Sequence, residues 1–232
     1  MSIPMITAAG RISNTAPLKR KFIKAGRRVL RRSSTGYMKL SEKESLRERG
    51  RRIRKSLPAK AFLSGQICER IVSWDIFASA RRIMSYCAID GEVDLGALPI
   101  SGHARELYLP AVVPDKSGLA IEPRRFFQGA VCVKGKFGID EAPEGAPVIK
   151  QAELDLILVP GIMFGPAGGR IGFGHGYYDR FLASCAGAVK AGVCFESQFG
   201  EDFEPDKDDV SMDFVITEKK IYEIVKRKEE EK

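Results

Sequence analysis

Hydrophobic and polar positions alternate in two ways along the chain, with a helical period first and strand-like runs later. SEKE at residues 41–44 is typical of a capping box, with Ser41 as the N-cap and Glu44 three residues on, and predicts a basic helix to about Ser56. Within residues 57–77, Leu63, Ile67 and Ile71 recur at helical spacing, which predicts a second helix or a helix pair. Short apolar runs that predict buried strands follow at 81–89, 106–113, 153–164, 189–195 and 213–217.

Helical stretches are expected between these strands, at 92–104, 176–186 and 218–228. The segment 115–150 is rich in Gly and Pro, and we expect it to be an excursion of loops and short strands. Buried strands that alternate with helices predict an α/β fold: a three-layer, open, mostly parallel sheet with helices on both faces, which is a Rossmann-like architecture.

The charge divides the chain into an extension and a domain. Of the 38 Lys and Arg residues, ten lie in residues 1–41, which contain no Asp or Glu; the other 28 oppose 30 acidic residues. We expect residues 1–40 to be a disordered basic extension, 41–228 one domain and 229–232 a charged tail. The same composition leaves open an organellar transit peptide or an arm that binds nucleic acid or anionic lipid.

Several classes of site and location are disfavoured by composition. No apolar run approaches the roughly 20 residues of a membrane span, so we expect a cytoplasmic protein, with an organelle as the alternative if residues 1–40 are a transit peptide. The only histidines are His103 and His175, and no zinc-ligand spacing is visible. The five cysteines form no CxxC pair and are expected to be reduced thiols among apolar neighbours: Cys68, Cys87, Cys132, Cys185 and Cys194.

The stretch GGRIGFGHGYYDR, residues 168–180, lies between the strongest predicted strand and a predicted helix. Ligands of open α/β sheets bind in such carboxyl-end loops. Glycines allow close approach to the backbone amides, and successive N–H groups with a helix N-terminus favour an anion such as phosphate. Arg170 and Arg180 add positive charge. The spacing matches neither GxxxxGK[ST] nor GxGxxG, because Tyr177 stands at the third glycine position.

Asp179 falls in the first turn of the predicted helix, where the helix dipole favours a carboxylate. Mg²⁺ on nucleotides is commonly held by one or two carboxylates. Asp209, in the acidic stretch before the last strand, is the candidate second ligand.

Together these residues resemble the 5-formyltetrahydrofolate cyclo-ligase family. The segment VPGIMFGPAGGRIGFGHGYYDRFL resembles its signature block, a strand ending in VPG followed by R-[LI]-G-x-G-x-G-[YF]-Y-D-R. Further segments resemble family motifs in the same order over roughly residues 42–218: EKESLRERGRRIRKSL, YCAIDGEVDL, KFGIDEAP, GVCFESQF and PDKDDVSMDFVITE.

The resemblance implies a ligase that uses ATP and Mg²⁺ to convert 5-formyltetrahydrofolate to 5,10-methenyltetrahydrofolate through a phosphorylated formyl group. It implies a sheet of the NagB/RpiA-like type and small-molecule partners, and we expect a monomer or weak dimer. Arg170 and Tyr177 would be catalytic, Glu92 and Tyr177 would bind the folate, and Asp179 and Asp209 would bind Mg²⁺. The implied ATP-binding residues are Lys43, Arg47, Arg170, Ile171, Gly172, Phe173, Gly174, His175, Gly176, Tyr177 and Tyr178.

Four positions depart from the family pattern: Leu95, Gly165, His175 and Asp208. Two other kinds of function stay open at this point. Similar α/β domains serve as sugar-phosphate isomerases or coenzyme A transferases, and the basic arm would suit an RNA-binding protein, although no RNP-type aromatic motif is present.

Overall fold

The computed structural model describes residues 38–99, 105–116, 118–127, 129–201, 203 and 205–225. Of the extension expected at 1–40, residues 1–37 lie outside these ranges, as does the tail expected at 229–232. In the described ranges, no helix is both long and apolar enough to span a bilayer.

The described residues form helices and strands in the alternating order expected of an α/β fold. The helices are α1 (Leu40–Ser56), α2 (Lys60–Val72), α3 (Asp75–Ser79) and α4 (Tyr177–Ala183). The strands are β1 (Arg82–Met84), β2 (Glu106–Asp115), β3 (Gly118–Phe126), β4 (Val133–Lys134), β5 (Asp140–Glu141), β6 (Leu156–Pro160), β7 (Met163–Phe164), β8 (Arg170–Ile171), β9 (Val189–Val193), β10 (Phe214–Ile216) and β11 (Ile221–Glu223).

Seven strands form the main sheet, in the order β11-β10-β9-β6-β1-β2-β3. The five inner strands are parallel, and the edge strands β11 and β3 are antiparallel to their neighbours. Ile83 pairs with Leu107 on one side and with Leu156 on the other. The predicted mostly parallel sheet is confirmed, and the carboxyl ends of β1 and β6 meet at one edge of it.

Helices cover both faces of this sheet. On one face, Leu156 and Leu158 of β6 share a core with α2 and α3. On the other face, Ile157 and Val159 pack in a second core with residues of α4. Successive side chains of a strand point to opposite faces, so both faces of β6 are buried. The predicted three-layer arrangement is therefore confirmed.

Helix α1 packs at the edge of the sheet rather than on a face. Leu46 belongs to a small core with Ile162, Met163 and Ile171. A Cβ at Gly50 would lie 2.5 Å from Cγ2 of Ile162, so the close approach of α1 to this segment requires glycine at that position. The contact sets the height of α1 above the β7–β8 hairpin.

The predicted start of α1 is wrong. The helix begins at Leu40, and the Glu42 carboxylate accepts the Lys39 N–H at 3.3 Å. Ser41 therefore lies inside the first turn, and Glu44 instead contacts arginines of its own helix.

Two predicted helices are also wrong. Residues 92–99 form turns, in which the Gly96 N–H bonds to the Asp94 carboxylate at 2.9 Å, and residues 100–104 are outside the described part. Val93, Leu95 and Leu98 are buried without a helix, so their spacing imitates a helical face. In the region predicted as helix 218–228, the chain turns at Thr217–Lys220 and returns as β11.

Four strands and one helix are shorter than predicted, with β9 and β10 each two residues short and β6, β1 and α4 differing as follows. β6 ends at Pro160, and residues 163–164 belong to a separate hairpin with β8. β1 ends at Met84, after which Tyr86 donates its hydroxyl to the Val93 carbonyl at 2.9 Å. α4 ends at Ala183 rather than 186. All five cysteines are free thiols; Cys87 and Cys132 are only partly buried.

Candidate active site

A cavity of about 580 Å³ opens at the carboxyl edge of β1 and β6. Every residue assigned to a site from the sequence lines it. These residues are Lys43, Arg47, Glu92, Arg170, Ile171, Gly172, Phe173, Gly174, His175, Gly176, Tyr177, Tyr178, Asp179 and Asp209. These residues lie in four separate parts of the chain, and the fold brings them together around one cavity.

The glycine loop, residues 172–176, forms one wall of this cavity. Gly174 and Gly176 have φ angles of 104° and 66°, in the left-handed region that side chains rarely adopt. In the described part of the chain, the amide nitrogens of 172–176 donate no intramolecular hydrogen bond. α4 starts directly after the loop, at Tyr177. The loop therefore presents a row of backbone donors, which is the arrangement predicted for anion binding.

Arg47 connects α1 to the glycine loop. Its Nε donates to the Gly172 carbonyl oxygen at 3.0 Å, and its Nη2 would lie 3.3 Å from a Cβ at Gly174. Its Nη1 also pairs with the Glu44 carboxylate at 2.9 Å. The guanidinium thus lies beside the free backbone donors and adds positive charge to the same wall.

Lys43 lies one turn before Arg47 and is held by carboxylates. Its Nζ is 2.6 Å from Oδ2 of Asp206 and 3.6 Å from Oδ2 of Asp209. Asp206 is buried and also accepts the Met38 N–H at 2.6 Å. Sequence reasoning missed Asp206, because nothing in the run PDKDD distinguishes the one buried carboxylate from its neighbours.

Asp179 and Asp209 face the same cavity. Oδ1 of Asp179 is 2.9 Å from Nη2 of Arg170. Burial raises the pKa of Asp209, and the negative charge of Asp179 contributes in the same direction. In the described ranges, no group of three or more His, Cys, Asp or Glu side chains is arranged for a metal ion. Two carboxylates that repel each other nevertheless fit an ion whose other ligands are phosphate oxygens and water.

Arg170 and the two tyrosines form the junction between the glycine loop and α4. The Arg170 side chain is buried, its Nε has no hydrogen-bond partner in the described chain, and its guanidinium lies 5.4 Å from the centre of the Tyr178 ring. Burial raises the pKa of Tyr178, which therefore keeps its proton. The Tyr177 ring contacts His175 and Phe137, with centroids 5.5 and 6.1 Å away.

Glu92 lies at the base of the cavity and pairs with Arg54, which sequence reasoning missed. Nη1 of Arg54 is 3.3 Å from Oε1 of Glu92, and the two side chains are 1% and 4% exposed. The atoms are close but not aligned, so neither counts as hydrogen-bonded there. Burial raises the pKa of Glu92 to about 7, although the Arg54 charge acts to lower it. One sequence feature indicates that Arg54 is buried: it follows Leu46 and Gly50 at helical spacing, and all three lie on the buried face of α1.

The departures from the family pattern have local structural settings. A Cβ at Gly165 would lie 2.5 Å from the Phe203 carbonyl oxygen, so a larger residue there requires the neighbouring backbone to shift. Leu95 is part of the core beneath α2, whereas His175 lines the cavity.

Comparison with known proteins agrees over most of the chain. The model of the 5-formyltetrahydrofolate cyclo-ligase family matches residues 24–218, and so begins before α1. The probable 5-formyltetrahydrofolate cyclo-ligase of Caenorhabditis elegans is 25% identical over an alignment of 173 residues, and the match covers 66% of this chain and 80% of that protein. The 5-formyltetrahydrofolate cyclo-ligase of Mycolicibacterium smegmatis is 27% identical over 177 residues, covering 72% and 89% of the two chains.

A solved structure supports the same relationship. The NMR structure of Aquifex aeolicus 5,10-methenyltetrahydrofolate synthetase superposes with a TM-score of 0.69 and 32% identity, and covers 82% of this chain and 96% of its own. From the family match, the relatives and the shared fold, this chain belongs to the 5-formyltetrahydrofolate cyclo-ligase family.

Proposed function

We propose that this protein catalyses the ATP- and Mg²⁺-dependent conversion of 5-formyltetrahydrofolate to 5,10-methenyltetrahydrofolate. The observation that carries the proposal is the single cavity into which the glycine loop, the cations of α1, Glu92 and two carboxylates all converge. Its volume of about 580 Å³ lies within the ordinary range for small-molecule sites.

The polyphosphate of ATP binds at the glycine-loop wall. The amides of 172–176 have no other partner in the described chain, and the Arg47 guanidinium lies against the same loop. Lys43 exchanges its carboxylate partners for phosphate oxygens, and Arg170 supplies the buried cation at the start of α4. Phosphate transfer depends on such positioning and charge neutralisation rather than on a protein nucleophile.

Asp179 and Asp209 are the proposed ligands of Mg²⁺. When bound, the ion neutralises the developing charge on the phosphate oxygens. The two carboxylates are the part of the site that the chain itself supplies. Burial, together with the nearby Asp179 charge, raises the pKa of Asp209, and a bound cation would offset both effects.

The folate binds on the Glu92 side of the cavity, against apolar residues of β2 and β3 such as Val112 and Ile121. Oε1 of Glu92 has no hydrogen-bond partner in the described chain and accepts N–H groups of the fused ring. Tyr177 lines the same cavity and is the proposed neighbour of the formyl group.

The proposed reaction converts the formyl oxygen, which is a poor leaving group, into phosphate, which is a good one. The formyl oxygen attacks the γ-phosphorus of ATP, the bond to the bridging oxygen breaks, and ADP leaves. N10 then attacks the activated formyl carbon and gives up its proton to solvent, the ring closes, and the bond from that carbon to the former formyl oxygen breaks as phosphate leaves. Arg170 neutralises charge on the transferred phosphate, and Tyr177 positions the formyl carbon for closure.

The test follows the absorbance of the methenyl product with purified protein, 5-formyltetrahydrofolate and Mg·ATP. We expect ADP and product in equal amounts, and no product without ATP. Folded protein that forms no product would overturn the proposal.

Asp179→Asn tests the metal assignment within this assay. It should lower Mg²⁺-dependent turnover by about two orders of magnitude or more, a loss of the size seen when charge-stabilising groups are removed from active sites. The matched control is Asp75→Asn, because Asp75 is also in the first turn of a helix but is exposed and does not line the cavity. Near-normal turnover of Asp179→Asn would remove Asp179 from the metal site.

A further inference from the structure

Arg54 is a buried cation next to the cavity that no step of the proposed reaction requires. It lies in the last turn of α1, with a side chain that is 1% exposed. It touches Glu92 through Nη1 at 3.3 Å and Asp90 through Nη2 at 3.1 Å. Its backbone carbonyl accepts the Lys60 ammonium at 2.8 Å, which ties the end of α1 to the start of α2. Arginine stays charged at all ordinary pH values, and burying a charge costs free energy. A buried guanidinium at this position therefore suggests a specific role.

Glu92 has one anchored oxygen and one that is available to a ligand. Oε2 accepts the Ile89 N–H at 3.2 Å. Oε1 lies within reach of the Arg54 charge but has no hydrogen-bond partner in the described chain, and the residue lines the cavity. Buried polar atoms without partners are rare in folded proteins, and they point to an absent donor. A ligand N–H group is the donor that this geometry admits.

The backbone just before Glu92 adopts a conformation that places two carboxylates at the Arg54 guanidinium. Asp90 has a φ of 49°, in the left-handed region that costs free energy for a residue with a side chain. This turn directs Asp90 to Arg54 and Glu92 into the cavity, so both carboxylates reach the same guanidinium. The Phe173 ring of the glycine loop lies 5.7 Å from that guanidinium and helps to enclose it.

We propose that Arg54 is a positioning residue which keeps the Glu92 carboxylate ionised and its Oε1 directed into the cavity, where it accepts N–H bonds from the fused ring of the folate. The proposal rests on the proposed function and deepens it, because it makes folate recognition depend on a residue that does not itself line the cavity.

The charged and titratable groups around Glu92 determine how recognition varies with pH. They are Arg54 from α1, Asp90 from the same turn, Tyr86 after β1 and Tyr178 from α4. Arg54 is the one group of this set that lowers the Glu92 pKa; burial and the Asp90 charge raise it. Loss of the Arg54 charge therefore raises the Glu92 pKa above about 7 and leaves the carboxyl protonated at neutral pH.

The experiment measures the KM for 5-formyltetrahydrofolate from pH 5.5 to pH 9 in the wild type, Arg54→Met and Arg54→Lys. In the wild type, the KM should increase as the pH falls through about 7. In Arg54→Met, the midpoint should move up by at least about one pH unit, so that the KM at pH 7 rises about fivefold or more. The kcat at saturating folate and the KM for ATP should change less than about twofold, since Arg54 acts through the folate carboxylate. Arg54→Lys retains a cation and should recover most of the midpoint shift.

A cycle with Glu92→Gln separates positioning from general damage. Glu92→Gln should bind folate weakly without a pH midpoint near 7, and Arg54→Met should have no further effect in that background. If Arg54→Met does not fold, Arg54→Gln replaces it, because its amide can still reach Asp90 without a charge. An unshifted midpoint, or equal losses in kcat and in the KM for ATP, would overturn the inference. A wild type without turnover would instead overturn the proposed function.

Discussion

Two arginines of helix α1, Arg47 and Arg54, each pair with a glutamate, but in very different surroundings. At the rim of the cavity, Arg47 and Glu44 are 2.9 Å apart, and the Glu44 side chain is 52% exposed. At the base, Arg54 and Glu92 are 3.3 Å apart, and both side chains are almost completely buried. The Arg47 hydrogen bond lowers the Glu44 pKa, whereas burial raises the Glu92 pKa to about 7. The pKa values of the two glutamates are therefore shifted in opposite directions, although each has an arginine partner.

The difference shows that desolvation, not the number of charged contacts, decides the electrostatics of this site. Water solvates Glu44, so its arginine adds only a favourable interaction. Glu92 is buried and has lost its solvation by water, and the interaction with one guanidinium does not compensate for that loss. The rim stripe of α1, defined by Lys43, Arg47 and Arg51, lines the cavity with cations that can exchange partners. The base stripe, defined by Leu46, Gly50 and Arg54, is buried and holds its cation in one place.

The largest predicted effect comes from breaking the buried pair on its acidic side. Glu92→Leu leaves the Arg54 guanidinium with Asp90 alone, and arginine cannot neutralise itself by losing a proton. We expect the free energy of unfolding to fall by about 3 kcal/mol or more, measured by urea denaturation at pH 8. Glu92→Leu combined with Arg54→Met should recover most of the loss, because neither charge is then buried. A loss below about 1 kcal/mol in the single variant would contradict this view of the pair.

The second prediction uses pH in place of mutation. Glu92 has a pKa of about 7 in the folded protein against an ordinary value of 4.5, so the folded state retains a proton that the unfolded chain releases. This raised pKa stabilises the fold fully below pH 4.5, and the contribution is lost as the pH rises through about 7. The expected loss is up to about 3 kcal/mol between pH 4.5 and 7.5, measured as the difference in urea stability between wild type and Glu92→Gln. Parallel pH curves for the two proteins would mean that Glu92 titrates normally.

A smaller effect is expected at Asp206, which is buried like Glu92 but has better-aligned partners. Asp206→Ala removes the acceptor of the Met38 N–H and the partner of Lys43. The cost should be about 1–3 kcal/mol in urea denaturation, the usual range for a buried group that loses its hydrogen-bond partner. Asp208→Ala, a change in the same acidic run, is the matched control. If the two variants were equally stable, Asp206 would not anchor the start of α1.

The smallest effect is expected at the rim. Glu44→Gln should leave the urea midpoint unchanged within error, because the Glu44 carboxylate is solvated with or without Arg47. Glu48→Gln changes an exposed glutamate of the same helix and serves as the reference. A clear loss for Glu44→Gln alone would show that Arg47 depends on Glu44 to keep its contact with Gly172.

The glycine loop was predictable from the sequence, whereas the buried pair was not. Closely spaced glycines before a tyrosine pair and an aspartate indicate a loop with unusual backbone conformations followed by a helix. Residues 168–180 could therefore be interpreted without a structure. Parallel strands such as β6 were similarly clear, because burial on both faces requires an unbroken apolar run. Arg54, in contrast, lies in a helix with several arginines, and its burial depends on Asp90 and Glu92, which are 36 or more residues away.

The wrong helices have a related cause. Val93, Leu95 and Leu98 are buried by neighbouring elements, so their spacing reflects the surface they cover rather than a helical turn. β11 was missed because a short antiparallel edge strand gains its stability from pairing with β10, which local sequence does not record. Asp206 belongs to the same class, since its partners Met38 and Lys43 lie at the other end of the domain.

Gly50 has a consequence for how this family member can vary. Because α1 rests directly on the Ile162 side chain there, the rim and base stripes keep a common distance from the glycine loop. A single added methyl group would displace the helix and move Lys43, Arg47 and Arg54 relative to the cavity at the same moment. The proposed nucleotide and folate sites are thus mechanically linked through one missing side chain, and a shift of α1 would disturb both.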